Sequence, residues 1–156
     1  VPTFSQAING IDAVLLEIGG GAYDIQVDGF GDVLTEDAFD AAILVSLLTD
    51  RRASASEVLA SNMRRGWIGN ESTPGVEMGS KLWLFEQSRL TQSILNQAAN
   101  AATAALQWLV EDGYAVAIVG AAPVRTADGV SLEVTIQRTT SEVETKSFAL
   151  WNRTGA

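Results

Sequence analysis

Arginine is the scarce chemistry-bearing residue of this chain, and it is clustered. Eight of the ten basic residues are arginines, and four of those form two adjacent pairs, Arg51–Arg52 and Arg64–Arg65, inside "LLTDRRASASEVLASNMRRGWIGN", residues 47–70. A guanidinium group forks onto a carboxylate or stacks on an aromatic ring, so this segment could grip an acidic group of a partner. The second pair runs into Gly66–Trp67, and arginine and tryptophan are over-represented where interfaces concentrate their binding energy. Each pair also has a local reading. A guanidinium over the Trp67 indole would stabilise the loop by roughly 0.5–2 kcal/mol. Arg51 and Arg52 follow a predicted helix, where exposed cations gain about 0.3–1 kcal/mol from the last carbonyls, and Asp50 could pair with either.

The remaining chemistry is carboxylate chemistry. Nineteen acidic residues set a formal charge of −9 and a pI near 4.3, a field that repels phosphate and argues against nucleic acid or an anionic membrane as partner. There is no histidine and no cysteine, which removes the common triads, histidine-ligated metals, disulfides and thiolate sites. Paired carboxylates can run glycosidase chemistry without histidine. The candidates are Glu36/Asp37 and Glu111/Asp112, the first explained more simply by a helix start and the second oddly placed at a helix end. "IGGGAYD" lacks the lysine and serine or threonine of a phosphate loop and the spacing of a dinucleotide fingerprint. No catalytic residue, metal ligand or cofactor is assigned. No apolar run approaches the roughly 18 residues of a membrane span, and no secretory leader is visible at the N-terminus.

Several elements must position these groups. At 156 residues with 47% hydrophobic content, the chain is read as one domain, 1–156, with a substantial core. "IDAVLLEI" (11–18) and "YDIQV" (23–27) are predicted as two strands about a glycine turn, followed by a second turn at "DGFGD". "TEDAFDAAILVSLLTD" (35–50) is predicted as a largely buried helix with Thr35 as its N-cap. Residues 53–80 form a long irregular segment carrying Gly66, Gly69, Pro74, Gly75 and Gly79, a length usually functional or disordered within a domain. "GSKLWLFEQS" (79–88) is a strand or the lead-in to a helix over 89–113. In that helix Leu90, Ile94, Ala98, Ala102, Ala105, Leu106 and Leu109 mark one face and Gly113 is the C′ residue. Trp83, Trp108 and Trp151 read as core or core edge. Strands at 114–124, 130–139 and 142–151 then make a meander, with Val130, Leu132, Val134, Thr135 and Ile136 approximating the alternation of a half-buried antiparallel strand. The class is α+β: two main helices on a mixed or antiparallel sheet that ends in a C-terminal β-meander.

The order of "YDIQVDGFGDVLTEDAFDAAILVSLLTDRRA", "RRGWIGN", "GSKLWLFEQSRLT", "ALQWLVEDGYA" and a last strand ending "FALW" resembles the small baseplate wedge protein of Mu-like contractile-tailed bacteriophages, over about residues 22–151. The resemblance implies a structural subunit, six copies per baseplate, bound to larger wedge proteins, to the tail sheath protein and to hub or tube proteins. It implies a location in the virion tail, with assembly in the host cytoplasm. It also implies a sheet similar to the sheath subunit's terminal domain, templating the first sheath ring by strand exchange. The expected partner face is Asp50, Arg51, Arg52, Arg64, Arg65, Gly66, Trp67, Gly79, Ser80 and Trp83. The expected exchange edge is Ser147, Phe148, Ala149, Leu150 and Trp151, which can add a strand through main-chain hydrogen bonds. The alternative, suggested by the lysozyme label once carried by related wedge subunits, is a carboxylate-dependent cell-wall glycosidase.

Overall fold

The computed structural model describes residues 11–19, 21–33, 35–72, 75, 77–139 and 142–152. The C-terminal half follows the alternation of its side chains. β5 (Ala117–Arg125), β6 (Gly129–Thr139) and β7 (Glu142–Asn152) form an antiparallel meander in the order β5-β6-β7. Val130, Leu132, Val134 and Ile136 of β6 are buried, while Glu133 between them is exposed, as a strand with one packed face requires. The register runs from Ala117↔Gln137 to Arg125↔Val130 on one side of β6 and from Val130↔Trp151 to Thr139↔Glu142 on the other.

Two helices cover the packed face. α1 (Ala38–Leu48) buries Phe39, Ala41, Ile43, Leu44, Ser46 and Leu47, leaving Val45 and Leu48 exposed, so it is enclosed on most sides. α2 (Gln92–Leu106) starts at Thr91, whose hydroxyl accepts the Ile94 amide at 3.3 Å, an N-cap bond that satisfies an otherwise orphaned donor. Ala98, Ala102 and Ala105 are buried on α2, and these small side chains let it approach both β5 and α1. A single turn at Gln107 leads into α3 (Trp108–Glu111), and Gly113, at φ +81°, ends the helical run. Beyond it the Tyr114 and Ala115 amides both reach the Leu109 carbonyl. Leu82, Leu106, Leu109, Phe148 and Leu150 complete one continuous core. At the far end of α1, Asp40 is ion-paired with Lys146 of β7, and the Arg138 guanidinium lies 4.3 Å from the centre of the Phe39 ring.

The N-terminal part departs from expectation in two places. The predicted first strand is divided at Val14: β1 (Ile11–Ala13) pairs with one partner and β2 (Leu15–Gly19) with another, β3 (Ala22–Ile25). The predicted helix at 35–50 begins late, because Thr35–Asp37 is a strand, β4, antiparallel to β1. Main-chain pairing with a distant segment overrides the helical preference of these residues. The side chains of Thr35, Glu36 and Asp37 lie outside the described residues, and with them the expected cap and the first carboxylate pair. Thr140 and Ser141 of the last turn also lie outside them. Among the described residues no helix is long and apolar enough to cross a membrane.

Candidate partner interface

The segment holding the arginines is a knot of main-chain bonds around residues 49–53. As α1 ends, the Ser80 hydroxyl donates to the Leu47 carbonyl at 2.5 Å and the Ser80 amide to the Thr49 carbonyl at 2.8 Å. These bonds cap carbonyls that the helix leaves unsatisfied. The Arg51 amide returns a bond to the Ser80 carbonyl at 2.8 Å. On the other side, the Trp67 amide reaches the Asp50 carbonyl at 2.8 Å and the Ala53 amide reaches the Arg64 carbonyl at 3.0 Å. Glycine is required at both contacts. A Cβ on Gly79 (φ +106°) would stand 2.5 Å from the Thr49 oxygen, and one on Gly66 (φ +118°) 2.9 Å from Arg52 Cβ.

All four arginines bond within the chain. Arg51 Nη2 donates to the Glu77 carbonyl at 2.7 Å, and its Nε lies 3.2 Å from Glu77 Oε2, an ion pair without hydrogen-bond geometry. Arg52 pairs with Glu71 at 3.3 Å, and Arg64 Nε donates to the Ala53 carbonyl at 2.5 Å. Arg65 is the one non-glycine residue at positive φ (+44°) among the described residues. Its guanidinium meets Asp50 at 2.7 Å and Glu86 at 3.5 Å, and lies 5.0 Å from the centre of the Trp83 ring. The stacked indole is thus Trp83, whose Nε1 also donates to the Arg51 carbonyl at 2.9 Å. Trp67 instead lies over Gly69 and keeps 45% of its surface exposed. Desolvation raises the Asp50 pKa although the Arg65 charge opposes it.

Sequence reasoning missed the other half of this lattice. Glu57 takes the Lys81 ammonium at 2.8 Å and the Ser54 amide at 2.7 Å, which together hold its carboxyl down at about 2. Asn70 bonds reciprocally with the main chain of Met78 at 2.8 and 2.9 Å. The available signal was a balance of charge: residues 50–86 carry five acids and five bases. Ten predicted partner-face residues, from Asp50 to Trp83, therefore do come together, around a common set of bonds.

The predicted exchange edge is a separate region. Phe148 and Leu150 point into the core, Ser147 is exposed, and Ala149 and Trp151 are half-buried. β7 pairs with β6 on one side. On its other side the β2–β3 hairpin crosses the end of the strand: the Tyr23 hydroxyl donates to the Ala149 carbonyl at 3.2 Å, and Gly21 lies so close that a Cβ would be 2.7 Å from the Leu150 oxygen. Along 142–147 no strand lies beside that edge among the described residues. The second carboxylate pair, Glu111 and Asp112, lines a cavity of about 270 Å³ with Arg51 and Glu77. Glu77 is already committed to Arg51.

Comparison with known proteins adds a lineage to this geometry. Residues 39–143 match the family model for phage protein GP46. The chain is 41% identical over 100 residues to the baseplate protein gp46 of Escherichia phage Mu, covering 63% of this chain and 68% of that one. It is 32% identical over 125 residues to the Mu-like prophage FluMu protein gp46 of Haemophilus influenzae, covering 80% and 87%. No solved structure matches. The matched span takes in nearly all of α1, the arginine lattice, α2 and the β5–β6 pair of the meander, ending in the first residues of β7, and the chain belongs to the phage protein GP46 family.

Proposed function

We propose that this chain is a structural subunit of a phage tail baseplate wedge, without a catalytic step. It would join larger wedge subunits around the hub and template the first sheath ring by strand exchange. The observation that carries the baseplate role is the relative from phage Mu, a baseplate protein that aligns over two thirds of its own length. Two structural features support the finer reading. The arginine lattice fixes Trp67 with one side exposed, and a large aromatic on a rigid support is what a side-chain-specific contact with a wedge partner needs. β7 offers main-chain groups along 142–147, the requirement for adding a strand, in a meander that would match the sheath subunit's terminal domain. The arginines then serve the interface by holding the loop. No observation favours the glycosidase alternative.

Strand exchange can be tested without disturbing the fold. The Ala149 carbonyl points away from β6, toward Tyr23, so strand alternation turns the Ser147 amide away as well. Ser147→Pro removes that outward donor and leaves the β6–β7 ladder intact. The variant should stay folded and still enter a hetero-complex with the larger wedge proteins, measured as mass by light scattering. It should fail to recruit sheath to assembled baseplates. Normal sheath assembly on Ser147→Pro baseplates would exclude exchange through β7, and a wild-type chain that ignores the wedge proteins would exclude the wedge role.

A further inference from the structure

The net negative charge of this protein comes from one part of the chain. Residues 1–50 contain nine carboxylates and no lysine or arginine, whereas residues 51–156 hold ten of each sign. The described part of that acidic segment is also where large apolar side chains face solvent: Leu16, Ile18, Ile25, Val27, Phe30 and Val33. Exposed apolar residues scattered singly need no explanation, but six within residues 16–33 form a concentration that marks interaction surfaces. Phe30 is 94% exposed.

Its turn is rigid. Asp28 Oδ1 accepts the amides of Phe30 at 2.8 Å and Asp32 at 3.0 Å. The Asp28 amide donates to the Asp32 carbonyl at 2.8 Å, and the Gly31 amide returns to the Asp28 carbonyl at 3.1 Å. Val27 and Val33 pair across the base of this turn. Ile25 and Val27 are two residues apart and share a face, with Val33 opposite Val27. An aromatic held at the tip of an ordered turn gives up little freedom when it is buried, which favours binding.

We propose that the hairpin and turn of residues 15–33 dock a second protein through an apolar pocket that receives Phe30 and a rim of lysine or arginine that faces Glu17, Asp24 and Asp32. Charge complementarity selects this occupant. In a second copy of the chain six of the ten basic residues, Arg51, Arg52, Arg65, Lys81, Arg138 and Lys146, are paired with its own carboxylates, and Arg64 and Arg125 donate to its own main-chain carbonyls, so a different protein is the better match for such a rim. This surface is separate from the arginine lattice; its hairpin touches the end of β7 through Gly21 and Tyr23, but the inference does not depend on strand exchange.

The test places the photo-cross-linker p-benzoylphenylalanine at position 30 of the full chain, expressed together with the other tail proteins of a phage that encodes it. Cross-linked peptides are then mapped by mass spectrometry. The expected product joins position 30 to a different protein at an apolar site flanked by lysine or arginine. Cross-links to a second copy, to residues 1–10 of the same chain or to an acidic surface, or none in assembled particles, would overturn the proposal. Binding to the purified cross-linked partner gives the second measurement. Phe30→Ser should weaken it about tenfold or more, with the melting temperature unchanged because the ring is exposed. Asp24→Lys/Asp32→Lys should slow association about tenfold at low salt and much less at high salt. Wild-type affinity in Phe30→Ser, or a charge reversal without effect on the rate, would equally overturn it.

Discussion

The described residues of the meander, 117–152, and of the loop, 49–86, are both ordered, but different forces order them. In the meander a row of apolar side chains, Val130, Leu132, Val134 and Ile136, is removed from water against two helices. In the loop little is removed from water: Leu59, Met63, Trp67 and Ile68 stay exposed, and order comes from amide bonds across residues 49–53 and from arginine–carboxylate pairs. Apolar burial is non-directional and accumulates with area, so it fixes a fold robustly without demanding particular partners. A hydrogen-bonded, charge-paired loop is directional. It depends on a few positions, and it frees apolar side chains for contact with another molecule.

Breaking each region at its own kind of weak point should separate the two. The largest effect is expected from Leu132→Ala, since Leu132 is fully buried at the centre of the sheet. The truncation should cost about 3–4 kcal/mol, read as a lower urea midpoint at unchanged slope. Trp83 fluorescence, read with the other three tryptophans replaced by phenylalanine, and far-ultraviolet dichroism should still report the same transition, because Leu82 anchors the loop in the same core. Two separate transitions would mean that the loop folds on its own. Gly79→Ala should come next. Its Cβ would meet the Thr49 oxygen at 2.5 Å in a backbone with φ +106°, a strain of about 2–3 kcal/mol. Hydrogen exchange should then quicken at the Arg51 and Trp67 amides while those of β6 keep their protection. Equal loss in both regions would break the distinction.

The same contrast explains what could be read from the sequence. The meander was legible because its order is local and periodic: alternate residues of β6 face one core. α2 was legible too, although its buried face centres on Leu95 rather than the expected Ile94. The start of α1 was not, because the fate of Thr35–Asp37 is set by pairing with Ile11–Ala13, a segment far away in sequence. In the loop the arginines announced themselves by clustering, but their partners did not. Glu77, Glu71 and Glu86 lie 26, 19 and 21 residues from the arginines they bind, and no periodicity links such distances. Stacking on Trp83 rather than Trp67 follows from the positive φ of Arg65 and the bond to Asp50, both consequences of the folded main chain. Phe30 stood in plain view within "DGFGD", yet the sequence shows a turn there and cannot show that the ring is left in water.

The smallest effect is the most diagnostic of how the loop is held. The Glu57 carboxyl is brought down to about 2, first by the Lys81 ammonium and then by the Ser54 amide and hydroxyl. A pKa lower in the folded than in the unfolded state means that ionised Glu57 favours folding. That contribution is fully present above the ordinary glutamate range and is lost as pH falls from about 4.5 toward about 2. The pair is one third exposed, so screening limits it to roughly 0.5–1 kcal/mol at neutral pH. Glu57→Gln should therefore lower stability by that amount at pH 7 and flatten the acid limb of the stability profile between those two values. In wild type, added salt should weaken the loop's protection from exchange while leaving β6 unchanged, because mobile ions screen exposed ion pairs far more than they affect a dry apolar interface. If salt loosened both regions alike, charge would be holding the whole molecule, and the division between a buried sheet and a charge-knit loop would fail.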